Sequence, residues 1–158
     1  MEYKLRAAVA EDLTAIVRLI REFAEFEDLS EYCEVTEQRL GAALFGENAV
    51  AESMVALDGE AVIGYALLFP NFSSFRGQRG FYLDDIYITA KYRGTGVGRA
   101  ILKEIARLAD ARGYERIDLL VLDWNSKAAD FYLSLGAKRD DSERHFKFTD
   151  DAFRRLAS

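Results

Sequence analysis

The chain has 158 residues, half of them hydrophobic, and a single proline, which suits one domain able to bury roughly 70% of its unfolded surface. A formal net charge of −6 argues against nucleic acid as a partner, because phosphate binding needs a basic footprint. One cysteine, Cys33, excludes an internal disulfide framework, and with no signal peptide or membrane-spanning apolar run in view the expectation is a soluble, cytoplasmic protein.

Tyr3 to Ala7 reads as a short extended start. Leu13, Ile16, Val17, Leu19, Ile20 and Phe23 follow at the spacing of one helix face. The acidic stretch Glu25 to Glu31 is either a solvated helix end or a wall that attracts a cationic substrate. Thr36 is placed to N-cap a second helix carrying Arg39 and Leu40. Ser53 to Leu57 and Ala61 to Phe69 are apolar runs joined by Asp58-Gly59, a hairpin signal. Pro70 to Gly80 reads as a longer connection leading to a strand, Phe81 to Ile88.

Beyond that strand, Val97, Ile101, Ile105 and Leu108 predict a helix with Gly113 as its C′ residue. Arg116 to Leu122 is nearly continuous in apolar residues and reads as a strand buried on both faces, in the middle of a sheet. Asn125-Ser126 offers an N-cap for a helix with Ala128, Phe131, Tyr132 and Leu135, ended by Gly136. A last strand, Arg144 to Phe148, precedes an amphipathic tail. The order β, α, α, three antiparallel strands, α, β, α, β predicts one α/β (α+β) three-layer domain over residues 1–158, with a mixed central sheet and helices on both faces.

The chemistry gathers at Tyr92-Arg93-Gly94-Thr95-Gly96-Val97-Gly98, between a strand and a helix. The first N–H groups of a helix lack internal partners and its dipole leaves that end partly positive. Glycines let a ligand approach the backbone closely, and Arg93 adds a fork suited to phosphate oxygens. This is an anion cradle suited to a pyrophosphate. Arg99-Ala100 follows Gly98, so the Lys and hydroxyl of a nucleoside-triphosphate loop are missing, and the glycine spacing is not that of a dinucleotide fingerprint.

The arrangement R-G-x-G-x-G after an extended run instead resembles the acetyl-CoA pyrophosphate loop of the GNAT superfamily of N-acetyltransferases. That resemblance implies two central parallel strands that splay apart, with the cofactor in the gap. Acetyl transfer from a thioester to an amine needs a neutral amine, donors for the oxyanion and a tolerable thiolate. A lysine-like amine with a pKa near ~10.4 is mostly protonated at pH 7, so carboxylates are needed to bind it and relay its proton.

Asp84-Asp85 interrupts an apolar strand, where unpaired carboxylates are rarely buried. Strand alternation sends the two side chains to opposite faces. Asp84, a few residues before the cradle, is the candidate to receive the amine; Asp85 stays open between a structural ion pair and function. Tyr132 lies one step off the stripe of Ala128, Phe131 and Leu135, and its hydroxyl needs a partner when buried. It is the candidate general acid for the leaving thiolate. His145, the only histidine, reads as an ordinary strand residue, and no metal-ligand spacing is present.

Within the superfamily, Ala24-Glu25-Phe26-Glu27, Tyr82-Leu83-Asp84-Asp85, the cradle, Ile101-Leu102-Lys103, Asp123-Trp124-Asn125 and Phe131-Tyr132-x-x-x-Gly136-Ala137 together resemble the diamine (spermidine/spermine and thialysine) N-acetyltransferases. By that resemblance Ile86, Tyr87 and Ile88 pair with the pantetheine arm. Arg93, Gly94, Thr95, Gly96, Val97, Gly98 and Arg99 hold the pyrophosphate, and Asn125 and Ala128 line the cofactor. Tyr132 is the general acid, Phe26, Glu27, Asp84 and Glu143 form the amine pocket, and the chain is a homodimer. Leu83-Asp84-Asp85 stands where that family has Leu-Glu-Asp, one methylene longer. The expected activity is acetyl-CoA-dependent acetylation of a small cationic amine such as a polyamine or diamine. Amino-acid or protein-amine acetylation and a non-catalytic acyl-CoA sensor are the alternatives.

Overall fold

Strands β1 (Lys4–Ala7), β2 (Glu52–Asp58), β3 (Ala61–Ser73), β4 (Gln78–Ile88) and β5 (Arg116–Leu119) form one sheet in chain order. This is a computed structural model, and it describes residues 2–158. The first three pairings are antiparallel and the last, β4 with β5, is parallel. A first compact unit ends at Leu120 and holds the whole sheet; a second runs Val121–Ser158.

In the first unit, helices α1 (Leu13–Phe26) and α2 (Glu37–Phe45) cover one face of the sheet. Ile16, Val17, Leu19, Leu40 and Leu44 pack there with Val55, Leu57, Tyr65 and Tyr87. Helix α3 (Val97–Ala111) covers the other face, placing Val97, Ile101, Ile105 and Ala109 against Met54, Ala56, Ala66, Leu68, Phe81 and Leu83. Residues 54 to 57 alternate between the two clusters, as the pleat requires. Each large apolar side chain so covered contributes about 1.5–3 kcal/mol, and Ile101→Ala would cost about 2–5 kcal/mol.

The helix ends match their local chemistry. Thr36 caps α2 by accepting from the Arg39 N–H at 3.1 Å. Gly113, at φ +72°, closes α3 with two bonds, Tyr114 N–H to Ala109 O and Gly113 N–H to Asp110 O.

Two irregularities shape the site. Leu67 pairs with Asp85 but Leu68 with Leu83, so Asp84 is an extra residue, a β-bulge. It reverses the alternation of β4: Phe81 and Leu83 face α3, whereas Tyr87 faces α1 and Ile86 and Ile88 take over the α3 side. The second irregularity is the short reach of β5, which pairs Gly80–Leu83 with Arg116–Leu119 and no further. From Asp84 to Ile88, β4 has β3 on one side only. That is the splaying of the parallel pair expected from the resemblance.

Three sequence expectations need correction. The connection placed at Pro70 to Gly80 is mostly strand, since β3 runs to Ser73 and β4 starts at Gln78. Pro70 is tolerated because β2 stops pairing at Leu68, leaving a neighbour on one side only. Second, Arg116 to Leu122 is not a central strand: β5 ends at Leu119 and lies at the edge of the sheet. Leu120 is 60% exposed, and Ile117 and Leu119 are only partly buried, packed against the α3-side cluster.

The third correction falls in the second unit, which contains helices α4 (Ser126–Ser134) and α5 (Asp150–Ala157). Arg144 to Phe148, read as a strand, forms none, and Phe146 and Phe148 are exposed. A strand needs a neighbour to satisfy its backbone, and this segment pairs with none of the described residues. Among the described residues, no helix is long and apolar enough to cross a membrane.

Candidate functional site

The loop between β4 and α3 turns on two glycines in left-handed backbone, Gly94 at φ +75° and Gly96 at φ +92°. Only glycine takes such angles without strain. A Cβ built at either would meet no atom within 4 Å, so the loop presents bare backbone to open space. Gly96 is the N-cap of α3, and the first helical bond runs from Ala100 N–H to Gly96 O. The N–H groups ahead of Ala100 sit at the positive end of the dipole. Gly94, Thr95, Gly96, Gly98 and Arg99 line this rim, while Val97 is turned inward into the core. Such a rim suits an anion such as a pyrophosphate.

Arg93 bridges the cradle and α1. Its Nε donates to Ile88 O at 3.0 Å, and its guanidinium lies 4.3 Å from the Phe26 ring centre and 5.1 Å from that of Tyr87. Both are cation–π distances. Arg93 therefore links the end of β4, the loop and the last residue of α1.

The same region collects carboxylates. The bulge brings Asp85 onto the α1 face, where the hydroxyl of buried Tyr65 donates to Asp85 Oδ2 at 2.7 Å. Burial pushes the Asp85 carboxyl up to about 6 against the pull of Tyr65, and the charges of Asp84 and Glu27 push it the same way. Asp84 is exposed on the bulge, and the protein mass around its carboxyl raises it above the ordinary value. Glu27, half-buried at the C-cap of α1, is raised by burial as well. Burial and then Asp85 hold the Tyr65 phenol well above its usual range, so it is a donor at any physiological pH.

Glu25, Glu27 and Asp28 crowd the C-terminal end of α1, with no basic residue in its last turn. The helix dipole disfavours anions there.

The remaining sequence candidates lie in the second unit. Asn125 Oδ1 caps α4 by accepting from the Ala128 N–H at 3.1 Å, which holds those two residues together. Tyr132 is half-buried, its ring edge-on to Phe131 at 5.1 Å. Glu143 and His145 are exposed in an irregular segment.

Sequence reading missed Tyr65, whose partner is 20 residues away, and undervalued Asp85. An adjacent carboxylate pair in an apolar strand was the available signal for a bulge. An open hollow of about 440 Å³, lined by Arg18, Arg21, Glu22, Glu25, Ser30 and Cys33, contains none of the cradle residues. Among the described residues, no group of three His, Cys, Asp or Glu side chains is arranged to hold a metal ion.

Comparison with known proteins identifies the family and the fold. The family model "Acetyltransferase (GNAT) family" matches residues 13–137. The chain is 40% identical to the thialysine N-epsilon-acetyltransferase of Sus scrofa, over 97% of this chain and 96% of that protein. It is 30% identical to the spermidine/spermine N(1)-acetyltransferase-like protein 1 of Homo sapiens, over 89% of this chain and 21% of that longer protein. An integron cassette protein from the mobile metagenome of V. cholerae superposes with a TM-score of 0.83 at 22% identity, over 99% of this chain and 98% of that one, a likeness of fold.

Proposed function

The chain belongs to the GNAT acetyltransferase family and is an N-acetyltransferase, and from that premise we propose that it acetylates a primary amine of a small cationic acceptor such as a polyamine, a diamine or a thialysine-like amino acid. The observation that carries this reading is the electrostatic grouping of Glu27, Asp84 and Asp85 around the bulge of β4, a few residues before the cradle. Three carboxylates against one neighbouring guanidinium, Arg93 on Phe26, leave negative charge that attracts a cation.

Bound acetyl-CoA, the cosubstrate of this family, supplies the acyl group as a thioester; the chain supplies the rest. The rim from Gly94 to Arg99, with Arg93, holds the pyrophosphate. The edge of Ile86, Tyr87 and Ile88 that β5 leaves unpaired offers backbone groups to the pantetheine arm, apart from the Ile88 carbonyl, which accepts from Arg93. Phe26, Glu27 and Asp84 hold the acceptor's ammonium. A carboxyl near 6, such as Asp85, is ionised at pH 7 and basic enough to take part in moving the ammonium's proton. Tyr132 is the donor for the departing thiolate, with Asn125 and Ala128 lining the cofactor, all three on the strength of the resemblance. Glu143 keeps only that support for the amine pocket. A homodimeric, cytoplasmic enzyme built as a single catalytic domain completes the proposal, and sedimentation at working concentration tests the dimer.

A second reading narrows the acceptor to an amino acid. Arg93 stacks on Phe26, next to Glu27; under this reading its guanidinium serves the acceptor's carboxylate and the pyrophosphate rests on the loop's N–H groups alone. Lysine and cadaverine differ by that carboxylate alone, so a lower KM for lysine favours this reading.

The test is acetyl-CoA turnover, followed as free thiol, against polyamines, diamines, lysine analogues, aminoglycosides and neutral amines. Turnover concentrated on cationic acceptors is expected. Equal or better turnover of neutral amines would remove the carboxylate-based assignment.

A further inference from the structure

Asp85 reaches the α1 face only because Asp84 is looped out of the pairing with β3. Tyr65 on β3 lies directly opposite Tyr87, so it stands diagonally across from Asp85. That diagonal is about 7–8 Å between backbones, within reach of a long aromatic side chain. The Tyr65 ring has 0% of its surface exposed and is packed among Ile16, Val55, Leu57 and Tyr87, which leaves the ring little freedom. Its hydroxyl ends 2.7 Å from Asp85 Oδ2.

We propose that Tyr65 is a positioning residue for the acceptor site: its buried hydroxyl holds the Asp85 carboxylate in one orientation, with Oδ2 engaged and Oδ1 turned to the acceptor's ammonium. This rests on the reading that the carboxylates around the bulge receive a cationic amine. An aspartate alone on a bulge has two free side-chain torsions, and each orientation directs its lone pairs elsewhere. A donor fixed by a packed ring removes that choice before the substrate arrives.

The pairing also governs when Asp85 carries its charge. Tyr65 donates from β3, Asp84 acts from β4 itself, Glu27 acts from the end of α1, and Arg93 covers Tyr87 and Phe26 nearby. Cys33 acts on Tyr65 from the loop before α2. Among the described residues, only the Tyr65 hydroxyl favours the ionised form of Asp85; burial, Asp84 and Glu27 oppose it. Without the hydroxyl, Asp85 stays protonated to higher pH and ceases to attract an ammonium near neutrality.

Tyr65→Phe keeps the ring and deletes the donor. Its kcat/KM for the amine, measured from pH 5.5 to 9 beside the wild type, should show the acidic break moved up by about one to two pH units, the size of a charge-assisted bond. The loss is about tenfold at pH 6 and small by pH 9, carried by the amine's KM, while the KM for acetyl-CoA stays put. A loss of equal size at every pH, or an unmoved break, would make Tyr65 a packing residue and overturn the proposal. Carbon-13 NMR of the wild-type chain gives a reading without substitution. The Tyr65 Cζ resonance should titrate with the Asp85 carboxyl, and a flat Cζ signal through that midpoint would also overturn it. A wild-type chain that turns over no cationic amine refutes the acceptor reading, and the NMR titration then still decides the Tyr65–Asp85 coupling.

Discussion

Replacing Asp85 by Asn should make the protein more stable and less active. The folded chain holds the Asp85 carboxyl at about 6 against an ordinary 3.8, chiefly through burial. A carboxyl raised on folding favours the folded state most below its unfolded midpoint and loses that benefit as pH climbs through the folded one. Above pH 7, where Asp85 is ionised in both states, the fold carries the full burden of that charge. Moving the midpoint from 3.8 to about 6 corresponds to about 3 kcal/mol. Asn removes the charge yet keeps a carbonyl oxygen for the Tyr65 hydroxyl, so most of that burden is relieved. For a chain of this length, about 3 kcal/mol raises Tm by about 6–12 °C. Melting curves of both proteins from pH 4 to 8 check this: the gap should be widest at pH 8 and close to zero near pH 4. A variant no more stable than wild type at pH 8, or a gap that ignores pH, would refute the argument. Activity moves the other way, because the relieved charge is the one the ammonium needs, an opposition common at functional sites.

Gly96→Ala places a side chain at φ +92°, where it meets no protein atom within 4 Å. It should cost the unliganded protein about 1–2 kcal/mol of strain and weaken CoA binding by about tenfold or more, because the Cβ stands where backbone should meet pyrophosphate; titration calorimetry with unchanged affinity contradicts the cradle. Tyr132→Phe should lower kcat by roughly 10²–10⁴-fold with little effect on acetyl-CoA affinity, and a variant with near wild-type kcat reduces Tyr132 to packing. Asp12→Ala breaks a paired, buried carboxylate that accepts from Arg6 at 2.5 and 2.9 Å and from the Val9 N–H at 2.8 Å. Denaturant unfolding should show a loss of about 2–4 kcal/mol. The Arg6 hydrogen bond holds the Asp12 carboxyl below its ordinary value, so its stabilisation is present above pH ~4 and fades as pH falls through the lowered midpoint.

The features legible in the sequence are those whose physics spans a few neighbouring residues. The apolar stripe of α1, the caps at Thr36 and Asn125, the stop at Gly113, the Asp58-Gly59 turn and the glycine cradle all depend on partners three to six positions away. Tertiary structure decided what depends on register between strands. Alternation along β4 assigned Asp84 and Asp85 to opposite faces by counting, and a single unpaired residue changed the count. That residue is recognisable only from the pairing of Leu67 and Leu68 with Asp85 and Leu83. The apolar run after Arg116 resembled a central strand, yet whether a strand is central depends on who lies beside it, and β5 has β4 alone. The alternation of Arg144 to Phe148 likewise states a preference for extended backbone without supplying the neighbour that would make it a strand. Tyr65 was simply one more aromatic in an apolar run. It became part of the site because β3 and β4, joined through a four-residue loop, lie side by side and bring its hydroxyl to a carboxylate 20 residues further along.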